Sequence, residues 1–293
     1  MPYVTTRDGI RLYYEEAGSG KPLLFVHEFG GDVRSWEPQM RHFSRRYRCI
    51  AYGARGYPPS DVPDRPESYS QDNAVNDIVD VLDALEIDRA HVAGLSMGGF
   101  ATLHFGLRHP QRTLSLVVAG AGYGAEKEYE EYFRNVSLEV ARQFEEQGSE
   151  EFAKTYSMAA SRIAFLLKDP RGWQEFADQL AEHSATGSAG TMRGVQARRP
   201  SIYDLEDQLR AMTVPTLIIV GDEDDHCLQP GIFMKRTIPA SGLLVLPKSG
   251  HTLNLEEPAL FNMHVGDFLA TVEQQKWLPR DPRAVPTEIM KIS

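Results

Sequence analysis

Gly94-Leu95-Ser96-Met97-Gly98-Gly99 decides the fold. The apolar run His91-Val92-Ala93 before it reads as a buried strand, and Phe100 to Leu107 after it reads as a helix. Glycines two residues before and two after the serine let a strand reverse into a helix with little clash. Such a turn strains the serine backbone and lifts its hydroxyl above the carboxyl edge of a parallel sheet. It also sets the N–H of Met97 at a helix start, where it can face a developing oxyanion.

Working outward, Val4-Thr5-Thr6 and Ile10 to Glu15 flank Asp8-Gly9, a hairpin signal. Leu23 to Val26, Cys49 to Tyr52, Leu114 to Val118, Thr216 to Val220 and Leu243 to Leu246 are apolar runs of buried-strand length. Helical patterns lie at Trp36–Phe43, from Asp72 to Leu85, and at Glu257–Val272. Alternation of this kind predicts an α/β fold, a mostly parallel sheet of about eight strands covered by helices on both faces, with an antiparallel edge from the hairpin. Between Gly122 and Met212 only helical patterns occur, at Tyr129–Gln147, Glu150–Leu167 and Trp173–His183. This is read as a helical cap inserted before the last two strands, since a structureless loop of that length is implausible. The expected domains are a core of 1–121 and 213–275, a cap of 122–212, and a C-terminal arm of 276–293.

The 293 residues are 42% hydrophobic and 25% charged, the balance of a globular domain. A net charge of −10 argues against nucleic acid and favours a neutral or cationic ligand over a polyanion. No apolar run is long enough to span a bilayer, and the first residues lack a signal-peptide pattern. Two cysteines, Cys49 and Cys227, are expected to be free. The cytoplasm, a small-molecule substrate, no membrane partner, and a monomer or homodimer are the corresponding expectations.

A serine hydroxyl is a poor nucleophile at neutral pH and needs a base that is itself oriented by an acid. His251, on a loop after the last strand, is the base candidate. Asp224, in Gly221-Asp222-Glu223-Asp224-Asp225 after the preceding strand, is the acid candidate, with Asp222 and Asp225 as alternatives. The order serine, acid, histidine along strand-end loops is that of the α/β-hydrolase arrangement.

Along nearly its whole length the chain resembles the α/β-hydrolase fold family. The motifs are His27-Glu28-Phe29-Gly30-Gly31, Gly94 to Gly98, Gly221-x-x-Asp224, and Gly250-His251 followed by Glu256-Glu257-Pro258. Within the family it looks like the small-molecule esterase, enol-lactonase and C–C hydrolase group. The resemblance implies Ser96 as nucleophile, His251 as base, Asp224 as its orienting acid, and the N–H groups of Met97 and Phe29 as the oxyanion hole. The expected activity is hydrolysis of a small ester or lactone without a cofactor. Alternatives on the same fold are C–C hydrolysis of ring-cleavage diketones, acyl transfer or perhydrolysis, and a slow-turnover ligand receptor.

Two departures stand out. Glu28 occupies a place where the family usually has glycine, and is expected to point away from the oxyanion or to pair with an arginine; the alternative is that it faces the substrate. Gly53 to Ser60 lacks the usual aspartate and carries two prolines. Trp36, Tyr123, Tyr129, Phe133 and Met158 are candidates for the substrate pocket. Arg193, Arg198 and Arg199 are read as solvated or paired with cap carboxylates. His27 is read as a structural histidine. Asp224, Asp225, His226 and Cys227 match no usual zinc spacing, so no metal is expected.

Overall fold

The computed structural model describes residues 2–284. Eight strands form one sheet: β1 (Tyr3–Thr5), β2 (Arg11–Ala17), β3 (Lys21–Val26), β4 (Tyr47–Tyr52), β5 (Ala90–Leu95), β6 (Thr113–Ala119), β7 (Thr216–Gly221) and β8 (Ser241–Leu246). Their spatial order is β1-β2-β4-β3-β5-β6-β7-β8. Strands β3 to β8 run parallel, while β2 is antiparallel to both β1 and β4. The chain thus reverses its direction of travel across the sheet between β3 and β5. The loops leaving those two strands open a crevice at their carboxyl ends, the usual place for a ligand in such a sheet.

Helix α1 is Glu37–Phe43, α2 Gln71–Ala84 and α3 Met97–Arg108. Between β6 and β7 come α4 (Glu130–Gln147), α5 (Ser149–Tyr156), α6 (Ala160–Lys168), α7 (Pro170–Ala181), α8 (Ala185–Thr191) and α9 (Glu206–Ala211). Then α10 (Asp225–Thr237), α11 (Leu253–Glu256) and α12 (Pro258–Glu273) follow. The expected single helix over 150–167 is two helices: Ser157, Met158 and Ala159 turn the chain between α5 and α6. The helix α10 between the last two strands escaped the periodicity reading, because Pro230 and Gly231 interrupt its pattern.

Strand residues alternate between two cores, as the pleat requires. Leu24, Val26, Val92 and Val118 pack under α2, α3 and α10. Leu23, Phe25, Ala93 and Val117 pack under α1 and α12. A third apolar cluster joins the helical insert to the strand-end loops, bringing Phe144, Phe152 and Phe176 against Phe29 and Met97. Each such buried aromatic contributes about 1.5–3 kcal/mol, so the insert is seated on the loops that carry the site. After α12, Trp277 packs edge-on against Phe268, at a centroid distance of 4.7 Å. The expected C-terminal arm beyond 284 lies outside the described residues. Among those residues no helix is long and apolar enough to cross a membrane.

Candidate active site

Ser96 sits between β5 and α3 with φ 54° and ψ −113°, a left-handed backbone that a non-glycine residue rarely adopts. Two glycines make this turn possible. A Cβ on Gly94 would lie 2.2 Å from the Gly98 carbonyl oxygen, and a Cβ on Gly98 would lie 2.1 Å from that of Val26. Both are far inside contact distance, so only glycine permits the close approach. The turn is pinned by Ser96 N–H donating to the Ala119 carbonyl (2.8 Å) and Phe100 N–H donating to the Ser96 carbonyl (2.9 Å). The Met97 N–H begins α3, where the helix dipole favours negative charge.

His251 and Asp224 reach the same place from the loops after β8 and β7. The His251 Nδ1–H donates to Asp224 Oδ2 at 2.7 Å, with both residues buried. Burial pushes the Asp224 pKa up, but the charge of and the hydrogen bond from His251 outweigh it and hold the carboxyl below its usual range. The histidine loop is clamped by Glu256, whose carboxylate accepts the Gly250 N–H (2.7 Å) and the Thr252 N–H (2.9 Å). The insert touches the same loop, since the Ser161 carbonyl accepts the His251 N–H at 3.2 Å. Neither Asp222 nor Asp225 hydrogen-bonds the His251 ring among the described residues. Asp222 instead accepts the Ser249 N–H at 3.2 Å, which fixes the loop.

The loop after β3, which carries Glu28 and Phe29, is held by its own network. The His27 ring accepts the Ala54 N–H at Nε2 (3.0 Å) and donates from Nδ1 to the Glu28 carbonyl (2.7 Å), which makes it a neutral structural histidine. Burial lowers its pKa in agreement. Tyr57 Oη donates to the Phe29 carbonyl at 3.0 Å. Glu28 does not line the cavity. Its carboxylate takes a two-pronged contact from Arg162 of α6, with Nη1 to Oε1 at 2.9 Å and Nη2 to Oε2. Arg162 Nη1 also donates to Thr252 Oγ1 at 2.6 Å, beside His251.

Ser96, His251 and Phe29 open on one cavity of about 590 Å³ between the sheet and the insert. Tyr123, Tyr129, Phe133 and Met158 line it. The Tyr123 ring stands edge-on to His251 at 5.0 Å. Trp36 does not line it, and the expectation is corrected. It is 1% exposed and stacks on Phe25 at 4.9 Å beneath the sheet, because α1 packs on the face opposite α3. The arginine reading is also corrected in part. Arg193 does pair with Glu145, but Arg199 has no carboxylate within 4 Å among the described residues. Its guanidinium lies over the Phe100 ring at 3.7 Å and lines the cavity. Tyr156, Arg162, Gln196 and His226 also line it, which nothing in local periodicity marks.

The four consecutive residues 224–227 do not form a cluster. The structure groups Asp224, Cys227 and His251, whose ligand atoms lie within 4.8 Å of one another. Burial and the neighbouring Asp224 push the Cys227 thiol well above its usual range, so it stays a thiol. Within the trio the His251 ring donates to Asp224, and Cys227 lies beside them as a buried thiol.

The α/beta hydrolase fold model matches residues 21–258, well over half of the chain. The chain belongs to the alpha/beta hydrolase fold family. This hydrolase is 29% identical over 273 residues to 3-oxoadipate enol-lactonase 1 of Acinetobacter baylyi, covering 92% of this chain and 97% of that one. It is 29% identical over 286 residues to 2-hydroxymuconate semialdehyde hydrolase of a Pseudomonas species, covering 90% and 92%. A thermophilic esterase from Thermogutta terrifontis superposes with TM-score 0.81 at 25% identity, over 92% of this hydrolase and 98% of the esterase.

Proposed function

We propose that this hydrolase cleaves a small-molecule ester or lactone through an acyl-enzyme on Ser96. The observation that carries the reading is a serine held at positive φ and a histidine bonded to a buried carboxylate, both opening on one cavity. In this scheme the Ser96 hydroxyl oxygen bonds to the substrate carbonyl carbon while His251 Nε2 takes its proton. The carbonyl oxygen becomes an oxyanion facing the Met97 and Phe29 N–H groups, each such donor contributing about 3–4 kcal/mol. The C–O bond then breaks and the proton on His251 passes to the leaving oxygen. Water, deprotonated by His251, attacks the acyl carbon and releases Ser96. Asp224 keeps the imidazole in the required tautomer.

The helical insert acts in this scheme as a cap that shapes the substrate space. Its residues Phe133, Met158 and Gln196 support that role, since they form the cavity wall facing the strand ends. The relative acting as a 2-hydroxymuconate semialdehyde hydrolase keeps C–C cleavage by the same groups as the second reading.

A fluorophosphonate probe should label the chain at Ser96, and Ser96→Ala should abolish labelling and lower turnover by about a thousandfold or more. An adduct mapped to another serine refutes the reading. A panel of esters, lactones and ring-cleavage diketones separates the two bond types.

A further inference from the structure

We propose that Arg199 is a binding residue for a carboxylate on the substrate, so that the ester or lactone cleaved at Ser96 is itself an anion. This rests on the Ser96 reading and adds the substrate's charge to it. The cavity wall contains two arginines, Arg162 and Arg199, and no aspartate or glutamate among the described residues. Arg162 is neutralised by its two-pronged contact with Glu28. Arg199 is not neutralised. Its Nη2 donates to the Tyr123 carbonyl at 2.7 Å and its Nη1 to the Gln196 side-chain oxygen. These acceptors are uncharged.

What holds the guanidinium in place is aromatic. It lies 3.7 Å from the Phe100 ring centroid and 5.2 Å from that of Phe133. Cation–π contacts orient an arginine without cancelling its charge. The group is therefore preorganised and half-buried, yet retains its charge. Burial accordingly pulls its pKa down to about 9, against the usual value for arginine. A planar guanidinium in that condition suits a carboxylate, which can accept two parallel N–H bonds.

The location suits the reaction. Phe100, under the guanidinium, is one helical turn from Ser96 and donates its N–H to the Ser96 carbonyl. Tyr123, whose carbonyl binds Arg199, stands edge-on to the His251 ring at 5.0 Å. Arg199 and Ser96 line the same cavity, so one substrate can place a carboxylate on Arg199 and its reacting carbonyl at Ser96. The net charge of −10 makes the point sharper. An overall acidic surface disfavours anions, and a local unpaired cation in the cavity wall overrides it at short range.

The test compares two matched activated esters, mono-p-nitrophenyl succinate and p-nitrophenyl methyl succinate, which differ in one charge. The wild-type enzyme should favour the anionic ester in kcat/KM, chiefly through KM. In Arg199→Gln the ratio of the two kcat/KM values should fall by at least about tenfold, the scale of a charge-assisted hydrogen bond. Arg199→Lys, which keeps the charge but not the fork, should fall between them. Succinate should slow fluorophosphonate labelling of Ser96 in the wild type and fail to do so in Arg199→Gln, a readout that needs no turnover. A wild-type preference for the neutral ester, a smaller change in the ratio, or succinate protection that survives the substitution overturns the proposal. Absence of labelling at Ser96 in the wild type instead refutes the serine reading, so the two failures are distinct.

Discussion

Glu28 and Arg162 meet across 134 residues of chain, a carboxylate from the loop after β3 and a guanidinium from the helical insert, both almost fully buried. The pair answers the electrostatic problem that Glu28 poses. In the proposed mechanism, an unpaired carboxylate about 5 Å from the developing oxyanion would oppose it by roughly 3 kcal/mol at an effective dielectric near 20. Arg162 cancels that charge, and through Thr252 Oγ1 it ties the insert to the histidine loop as well.

Removing one member of this pair strands the other. Arg162→Met should destabilise the fold by about 3–5 kcal/mol, because Glu28 is left charged or must take up a proton in a buried site. Glu28→Gln should cost stability for the mirror-image reason and also lower kcat, since the loop bearing the Phe29 N–H loses its anchor. The double variant Glu28→Gln with Arg162→Met should be more stable than Arg162→Met alone. Urea denaturation of the three proteins checks the cycle, and additive losses would show that the two side chains do not depend on each other.

Asp224→Asn should preserve the fold and lower kcat by about ten-thousandfold, as expected when the imidazole tautomer is wrong. Asp222→Asn and Asp225→Asn should cost far less, because neither carboxylate meets His251. Steady-state kinetics with melting curves on the three variants settles which acid serves. A severe loss at Asp225 would reassign it.

The pH–rate profile should have a single ascending limb. Asp224 is held ionised below the usual carboxylate range, so it stays charged across the working range. A histidine base is active only when neutral, so kcat/KM should rise from acid toward neutral pH and then level off. Stopped-time assays on a neutral ester measure this without interference from substrate charge. Activity that peaks below about pH 5 contradicts a histidine base.

Acid should weaken the fold partly through Asp32. This residue caps the short 3₁₀ turn Val33–Trp36 and accepts from Arg34 Nη2 at 2.6 Å, with His183 Nε2 at 3.5 Å. Burial raises its pKa, but the nearby His183 and the charge of and hydrogen bonds from Arg34 outweigh that and hold it well below the ordinary value. A carboxyl depressed in the folded state adds stability that is fully present above its unfolded pKa of about 3.9 and is lost as pH falls toward the folded value. The melting temperature should therefore drop on acidification below about pH 4, and less steeply in Asp32→Asn, which keeps the cap and loses the charge. Equal slopes for the two proteins would remove Asp32 from the account.

Much of the fold was legible because its cause is local. The buried strands read directly from their apolar runs, and Ser96 read from glycines that alone allow the approach of Gly94 to Gly98 and of Gly98 to Val26. His251 and Asp224 read from their positions after the last two strands. Strand ends in a parallel sheet share one edge, so chain order puts both loops there, while the packing decided that Asp224, not Asp222 or Asp225, meets His251.

Other features depended on packing. Trp36 has the composition of a pocket residue, and only the side of the sheet on which α1 lies sends it into the core. The break between α5 and α6 carries no glycine or proline; it exists where Arg162 turns inward to Glu28. Arg193 and Arg199 stand six residues apart in one basic stretch, yet one meets Glu145 and the other meets two aromatic rings. The sequence by itself determined the sheet, the turn that presents the serine, and the chain order of the site, because backbone sterics and apolar periodicity act between near neighbours. The tertiary structure alone decided which charges are paired and which arginine faces the cavity, because those energies depend on groups brought together from distant parts of the chain.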